Sequence, residues 1–200
     1  MSKAFKLLLS VFFVYIFLCT DDWLDFSYAN HFIFFLILVA VIIAVTWIAI
    51  RLDKWLTAIR FQILIKSLIN SLIILFFFYQ FFTPYFYSAE YLQKTGLEQI
   101  ESYYQLASEG LSDQERRKLA ESTLSEEMAF SAISLERHPK KSLVDVKLIN
   151  LRRNYYYYDI TVKVKQQVDN QTQTNVYRFT LTKESGDFKM NGFEQLSAKD

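Results

Sequence analysis

Very little in this chain can turn the backbone sharply, cross-link it or hold a metal: its 200 residues include four glycines, two prolines, two histidines and one cysteine. A single cysteine, Cys19, excludes an internal disulfide and a thiolate-rich metal site. His31 and His138 have no cysteine or carboxylate at ligand spacing, so both are expected to be solvated loop residues and no metal is expected. Four scattered glycines cannot form a glycine-rich phosphate loop, and no serine stands in a nucleophile-elbow pattern, so nucleotide hydrolysis and serine-based acyl transfer are not expected. An excess of one charge is lacking too. The 22 Lys and Arg face 21 Asp and Glu, which leaves no basic footprint for nucleic acid.

What is present is apolar and aromatic, 52% and 18% of the chain, and it is unevenly spread. Residues 1–82 hold three apolar runs; residues 83–200 read as one polar globular domain. A hydrocarbon core of about 30 Å takes roughly 20 apolar helical residues to cross. The run Phe32 to Ile50 carries no charge at all. The run Ala4 to Cys19, with Lys3 before it and Lys6 in its first turn, is short enough to resemble the apolar part of a signal peptide. Ile16, Phe17 and Leu18 are not the small residues that cleavage before Cys19 would need, so the segment is expected to remain as a helix, a lipidated Cys19 being the alternative. With Phe61 to Phe82, spans are predicted at about 4–20, 32–50 and 61–82.

Cationic side chains orient these spans, because Lys and Arg concentrate in cytoplasmic loops. Asp21, Asp22 and Asp25 mark the first loop, whereas Arg51, Lys54, Arg60 and Lys66 crowd the second connection. The expectation is a multi-pass protein of a bacterial cell membrane, with its N-terminus cytoplasmic and residues 83–200 outside. Within the third run Gln62, Lys66 and Asn70 recur every four residues with Ser67 and Ser71 beside them. Either Lys66 snorkels to the nearby interface, or Lys66 and Asn70 hydrogen-bond a partner helix in this chain or another. An aromatic cluster from Phe76 to Tyr87 surrounds Pro84, where the chain should leave the bilayer.

Beyond it, Leu97, Ile100, Tyr104 and Ala107 fall three and four apart, predicting a helix that Gly110 can end, with Gly96 weakening or bending it. Ser112 followed by Glu115 is a capping box, so a second helix should start near Asp113, with a break near Ser125. His138 to Lys141 closes the helical region. Period two then takes over. Val144, Val146 and Leu148 alternate with Asp145 and Lys147, and Tyr156, Tyr158, Ile160, Val162 and Val164 alternate with polar residues. Asp169 and Asn170 turn the chain; Tyr177, Phe179 and Leu181 line a third strand; Ser185 to Asp187 turns again; Phe188, Met190 and Phe193 line a fourth, with Gly192 marking a bulge. The fold class is therefore α+β: three N-terminal transmembrane helices, then two or three helices packed on a four-stranded antiparallel curved sheet.

That order over about 115 residues, with Tyr158-Asp159-Ile160-Thr161-Val162-Lys163-Val164 beside Tyr177-Arg178-Phe179-Thr180-Leu181, resembles the nuclear transport factor 2-like (cystatin-like) cone. Membrane-tethered cones of this kind occur as scaffold subunits of type IV secretion and conjugation channels, usually with one span where three are predicted here. The resemblance implies a scaffold with no catalytic residue to carry over and no cofactor. Some cones do house acid–base chemistry on an Asp and a Tyr, which brings Asp159 into question; alternation puts it with Lys163 and Lys165 on the wet face.

Tyr155 and Tyr157 stand on that same polar face. With Lys163 and Lys165 they could form a partner-binding surface, exposed tyrosines giving large rigid contact area, or they could pack on one another across the sheet. Arg116, Arg117 and Lys118, interleaved with Glu115 and Glu121, read as a solvated helix face. The functional expectation is a non-catalytic scaffold in contact with the lipid bilayer that docks other membrane or envelope proteins or a second copy of itself. Its rivals are an immunity or stress protein that sequesters an extracellular toxin or peptide, and a membrane enzyme or carrier with a lipid-linked ligand.

Overall fold

The computed structural model describes residues 2–19, 31–108, 110–135, 139, 143–168 and 171–196. The acidic loop at Asp21, Asp22 and Asp25, His138 with Lys140 and Lys141, and the turn at Asp169 and Asn170 lie outside the described residues. The chain divides into two compact units at Phe78/Tyr79.

The first unit contains α1 (Ser2–Cys19), α2 (His31–Thr57) and most of α3 (Gln62–Phe81). All three helices are long and apolar enough to cross a membrane, which fits membrane association. Their outward side chains are Leu, Ile and Phe, among them Leu7, Phe35, Ile43, Ile63 and Leu75, as a lipid solvent requires. Phe5, Leu9, Ala49, Leu56 and Ile73 form the small interior. Ala49 is fully buried, a small residue that lets helices approach closely. The helix α2 does not stop near Ile50 but continues to Thr57, carrying Arg51, Asp53 and Lys54 on helical backbone. No glycine or proline stands between Ile50 and Thr57 to end it there.

The second unit begins with the last turn of α3 and a 3₁₀ turn, Thr83–Phe86, with Pro84 at its start. Then follow α4 (Ala89–Gln105), α5 (Asp113–Thr123), α6 (Glu126–Ser134), β1 (Leu143–Arg153), β2 (Tyr157–Val168), β3 (Gln171–Glu184) and β4 (Asp187–Leu196). The strands form one antiparallel meander in the order β1-β2-β3-β4, so the architecture is α+β.

Local chemistry explains the helix ends. Ser88 Oγ accepts from the Tyr91 amide at 3.1 Å and caps α4. The capping box of α5 is complete: Ser112 Oγ takes the Glu115 amide, and Glu115 Oε2 takes the Ser112 amide at 3.0 Å. Ser125 Oγ caps α6, so the break there is a new helix start. The end of α4 differs from expectation. It stops at Gln105, where the Leu106 amide bonds back to the Tyr103 carbonyl, and Gly110 stands beyond the end. Its buried face also differs: Leu92, Gly96, Ile100, Tyr103 and Tyr104 are buried, with Leu97 at the margin.

Gly96 does not break α4, which runs continuously from Ala89 to Gln105; it is where the helix lies on the sheet. A Cβ there would stand 3.0 Å from Ile160 Cδ1 and 3.3 Å from Tyr158 Oη. Gly96→Val is therefore expected to cost about 1–3 kcal/mol through overpacking, read as a lower denaturation midpoint of the detergent-solubilised chain. An unchanged midpoint would show that α4 can lift off β2 at no cost.

Tyr158, Ile160, Val162 and Val164 of β2, Phe179 and Leu181 of β3, and Phe188 and Met190 of β4 face the helices and are buried. Strand β1 departs from simple alternation. Register shifts between Leu143 and Asp145 and between Leu148 and Asn150 place bulges at Val144 and Ile149, both 55% exposed. Leu143, Val146, Leu148 and Leu151 supply the core contacts instead. Tyr156 precedes β2 and is exposed, so the buried series starts at Tyr158. A third shift puts a bulge at Asn191, beside Gly192. The β3–β4 turn has positive φ at Ser185 (53°) and Gly186 (101°), as a two-residue type I′ connection requires.

Candidate functional site

Helices α4 to α6 pack on one face of the sheet, and the other face is open among the described residues. Strand register determines what stands on it. Tyr157, Asp159, Thr161, Lys163 and Lys165 of β2 face outward, beside Arg152, Asn150, Lys147 and Asp145 of β1 and Thr182, Thr180, Arg178 and Val176 of β3. A shallow depression of about 460 Å³ lies on it, lined by Tyr157, Asp159, Arg178, Thr180, Thr182 and Glu194 among others.

Most charges here are answered locally. Asp159 accepts from Thr180 Oγ1 at 2.7 Å and from Asn154 Nδ2 at 2.8 Å, which ties the carboxylate to the sheet on its outer face, away from the helix-covered interior. Arg178 Nη1 reaches Glu194 Oε1 at 2.6 Å, and Lys165 Nζ lies 4.0 Å from Asp145 Oδ2. One pair is different. Lys147 and Lys163 stand directly opposite each other on adjacent strands, both exposed. Like charges so placed weaken a sheet.

The four residues of the expected contact surface are not one patch. Lys163 and Lys165 share the outer face with Tyr157, but Lys165 lies eight residues along β2 from Tyr157, about 27 Å at strand rise. Tyr155 is off the strand altogether, its ring centred 5.2 Å from Phe81 and 6.1 Å from Phe82. On the helix layer, Arg117 pairs with Glu121 at 2.9 Å, and Arg116 Nη2 donates to the Ser108 carbonyl at 3.3 Å.

In the same unit, Lys183 donates to the hydroxyls of Tyr87 at 2.6 Å and Tyr79 at 3.1 Å, its ammonium lying over both rings. The Tyr87 hydroxyl, helped by Tyr79 and opposed by burial, holds this ammonium above the usual lysine range. Sequence patterning does not reveal this cluster, since Lys183 ends a strand 96 residues from Tyr87. In the interior, burial pushes the Tyr103 phenol up to about 12, with Tyr177 adding to it, and raises Tyr104 and Tyr158 as well. These phenols stay protonated near neutrality.

In the membrane unit Lys66 Nζ lies 2.6 Å from Asp53 Oδ1, with both side chains buried. Ser2 Oγ donates to Asp53 Oδ2, and Lys6 Nζ lies 3.9 Å from the same oxygen. Asn70, one turn along α3, has its Oδ1 buried with no hydrogen-bond partner. Sequence reasoning does not single out Asp53; the available signal is a lone carboxylate among Arg51, Lys54, Arg60 and Lys66.

No protein-family model matches this chain, and neither does any curated protein. Among solved structures the chain is similar to an Ntf2-like, potential transfer protein TraM from the Gram-positive conjugative plasmid pIP501, at 15% identity and a TM-score of 0.43, covering 55% of this chain and 98% of that one. It is also similar to the intermembrane space region of the chloroplast protein ARC6, at 10% identity and a TM-score of 0.39, covering 52% of this chain and 96% of that one.

Proposed function

We propose that this chain is a membrane-anchored, non-catalytic binding protein whose open sheet face docks an acidic surface of another envelope protein outside the cytoplasm. The observation that carries this reading is the opposed pair Lys147 and Lys163. An exposed like-charge pair on an uncovered sheet costs stability and is relieved by an anionic partner. The interior supports binding outside the fold, because Tyr158, Phe179, Phe188, Leu92 and Ile100 occupy the space between sheet and helices. The cationic clustering at the α2–α3 connection supports an outward domain.

The test separates folding from docking. Lys147→Glu gives Lys163 an opposite charge, so the domain is expected to gain a few tenths of a kcal/mol, seen as a higher denaturation midpoint. A photo-reactive side chain at Thr161, on the same face, should give an envelope-protein adduct in cells, and Lys147→Glu should reduce that adduct several-fold. Adducts only from the helix layer, for instance from Glu121, would overturn the assignment. So would a cytoplasmic partner, or an adduct indifferent to Lys147→Glu.

A further inference from the structure

Aromatic side chains in the second unit are distributed unevenly. Five are interior: Tyr103, Tyr104, Tyr158, Phe179 and Phe188 are buried. Others gather in the open at one end, where Tyr85, Phe86, Tyr155 and Tyr156 are each 54–59% exposed. Two of these come from the segment that follows α3, and two from the turn between β1 and β2.

The turn is fastened to that segment. Its backbone closes with the Asn154 amide on the Tyr157 carbonyl at 2.9 Å. Tyr85 Oη donates to the Arg153 carbonyl at 3.3 Å, and Arg153 Nη2 donates back to the Tyr87 carbonyl at 2.9 Å. The Tyr155 ring lies against Phe81 and Phe82. Phe81 ends a 20-residue apolar helix, which at 1.5 Å per residue is about 30 Å long, the thickness of the hydrocarbon layer. The end of such a helix falls at headgroup depth, and a ring in contact with it falls at nearly the same depth.

Chemistry matches location. Tyrosine favours the membrane interface because its ring is apolar and its hydroxyl polar. Three residues before Tyr155 in the chain, Arg152 is exposed, a cation on a long apolar stem suited to phosphate. Left in water, four open rings at one end of a small domain would form an apolar patch of the kind that marks a contact surface. Continuity with α3 identifies the contact. We infer that the β1–β2 turn, residues 152–156, is a second membrane foothold, with Tyr155 and Tyr156 lying among phospholipid headgroups beside the exit of α3. This assignment is independent of the sheet-face reading and stands if docking at Lys147 and Lys163 fails.

The test uses the full chain, with Cys19→Ser, reconstituted in vesicles of phosphatidylcholine and phosphatidylglycerol. A nitroxide is attached through Tyr156→Cys, through Tyr85→Cys as an independent site, or through Lys163→Cys as a control some 23 Å along β2. At positions 156 and 85, collisions with a water-soluble nickel chelate are expected to be at least threefold fewer than at 163, and collisions with oxygen more frequent. Nickel access at 156 and 85 equal to that at 163 would overturn the foothold. So would collisions with oxygen at 156 and 85 no more frequent than at 163, since a protein surface would then be covering the rings.

Discussion

Lys66→Met is expected to destabilise the membrane unit by about 3 kcal/mol, measured by titrating the full chain with a denaturing detergent. Removing one partner of a buried ion pair generally costs about 3–5 kcal/mol, because the other charge stays behind undersolvated. The lower end applies because Asp53 keeps the Ser2 hydroxyl, and Lys6 remains 3.9 Å away. Replacing both partners, Asp53→Leu with Lys66→Met, removes charge and counter-charge together. That double variant should recover most of the loss, since two apolar side chains face no desolvation penalty. The double-variant cycle is the measurement, and its coupling should be about 2 kcal/mol or more. If the two single losses simply add, the short contact between α2 and α3 contributes nothing, and Lys66 is only a snorkelling side chain.

Tyr158 is expected to respond in opposite directions to two substitutions. Its ring is fully buried and meets Phe188 edge-on with centroids 5.1 Å apart, so Tyr158→Ala should cost about 3–5 kcal/mol by opening a cavity under α4. Its hydroxyl, in contrast, is buried with no hydrogen-bond partner. An unmatched buried hydroxyl costs about 1–3 kcal/mol, so Tyr158→Phe should raise stability by about 1 kcal/mol. Because burial keeps this phenol protonated, the gain should not change between pH 6 and 9. Denaturant midpoints for the two variants and the parent decide it. A loss on Tyr158→Phe would mean that the hydroxyl has a partner, such as a trapped water between α4 and β2.

The parts of the fold that were legible in sequence are those with a local cause. Alternation from Tyr158 to Val164, the Ser112–Glu115 box and the Ser125 break each depend on residues within a turn or a strand of one another. The buried face of α4 lies one step from the stripe that spacing predicts, because it contains Gly96, which no hydrophobic pattern counts but which the close approach of Ile160 requires. Bulges at Val144 and Ile149 left no mark, since an extra residue in a strand looks like any other apolar residue. The candidate sites were less legible still. Which face of β2 is wet follows from alternation, but the opposition of Lys147 and Lys163 depends on a register set by bulges. Lys66 with Asp53, and Lys183 with Tyr79 and Tyr87, are pairings between distant segments.

The two bulges in β1 and the one in β4 have a consequence for how such a chain behaves when many copies crowd one membrane. Each outer strand offers amide and carbonyl groups that another copy could zip onto, and an interrupted row is a poor template for that growth. At β4 the guard is doubled, because Leu124 forms a short parallel bridge with Met190 and the Ser125 amide takes the Met190 carbonyl at 2.8 Å. A protein built this way resists amyloid-like self-association while leaving the open face of its sheet available.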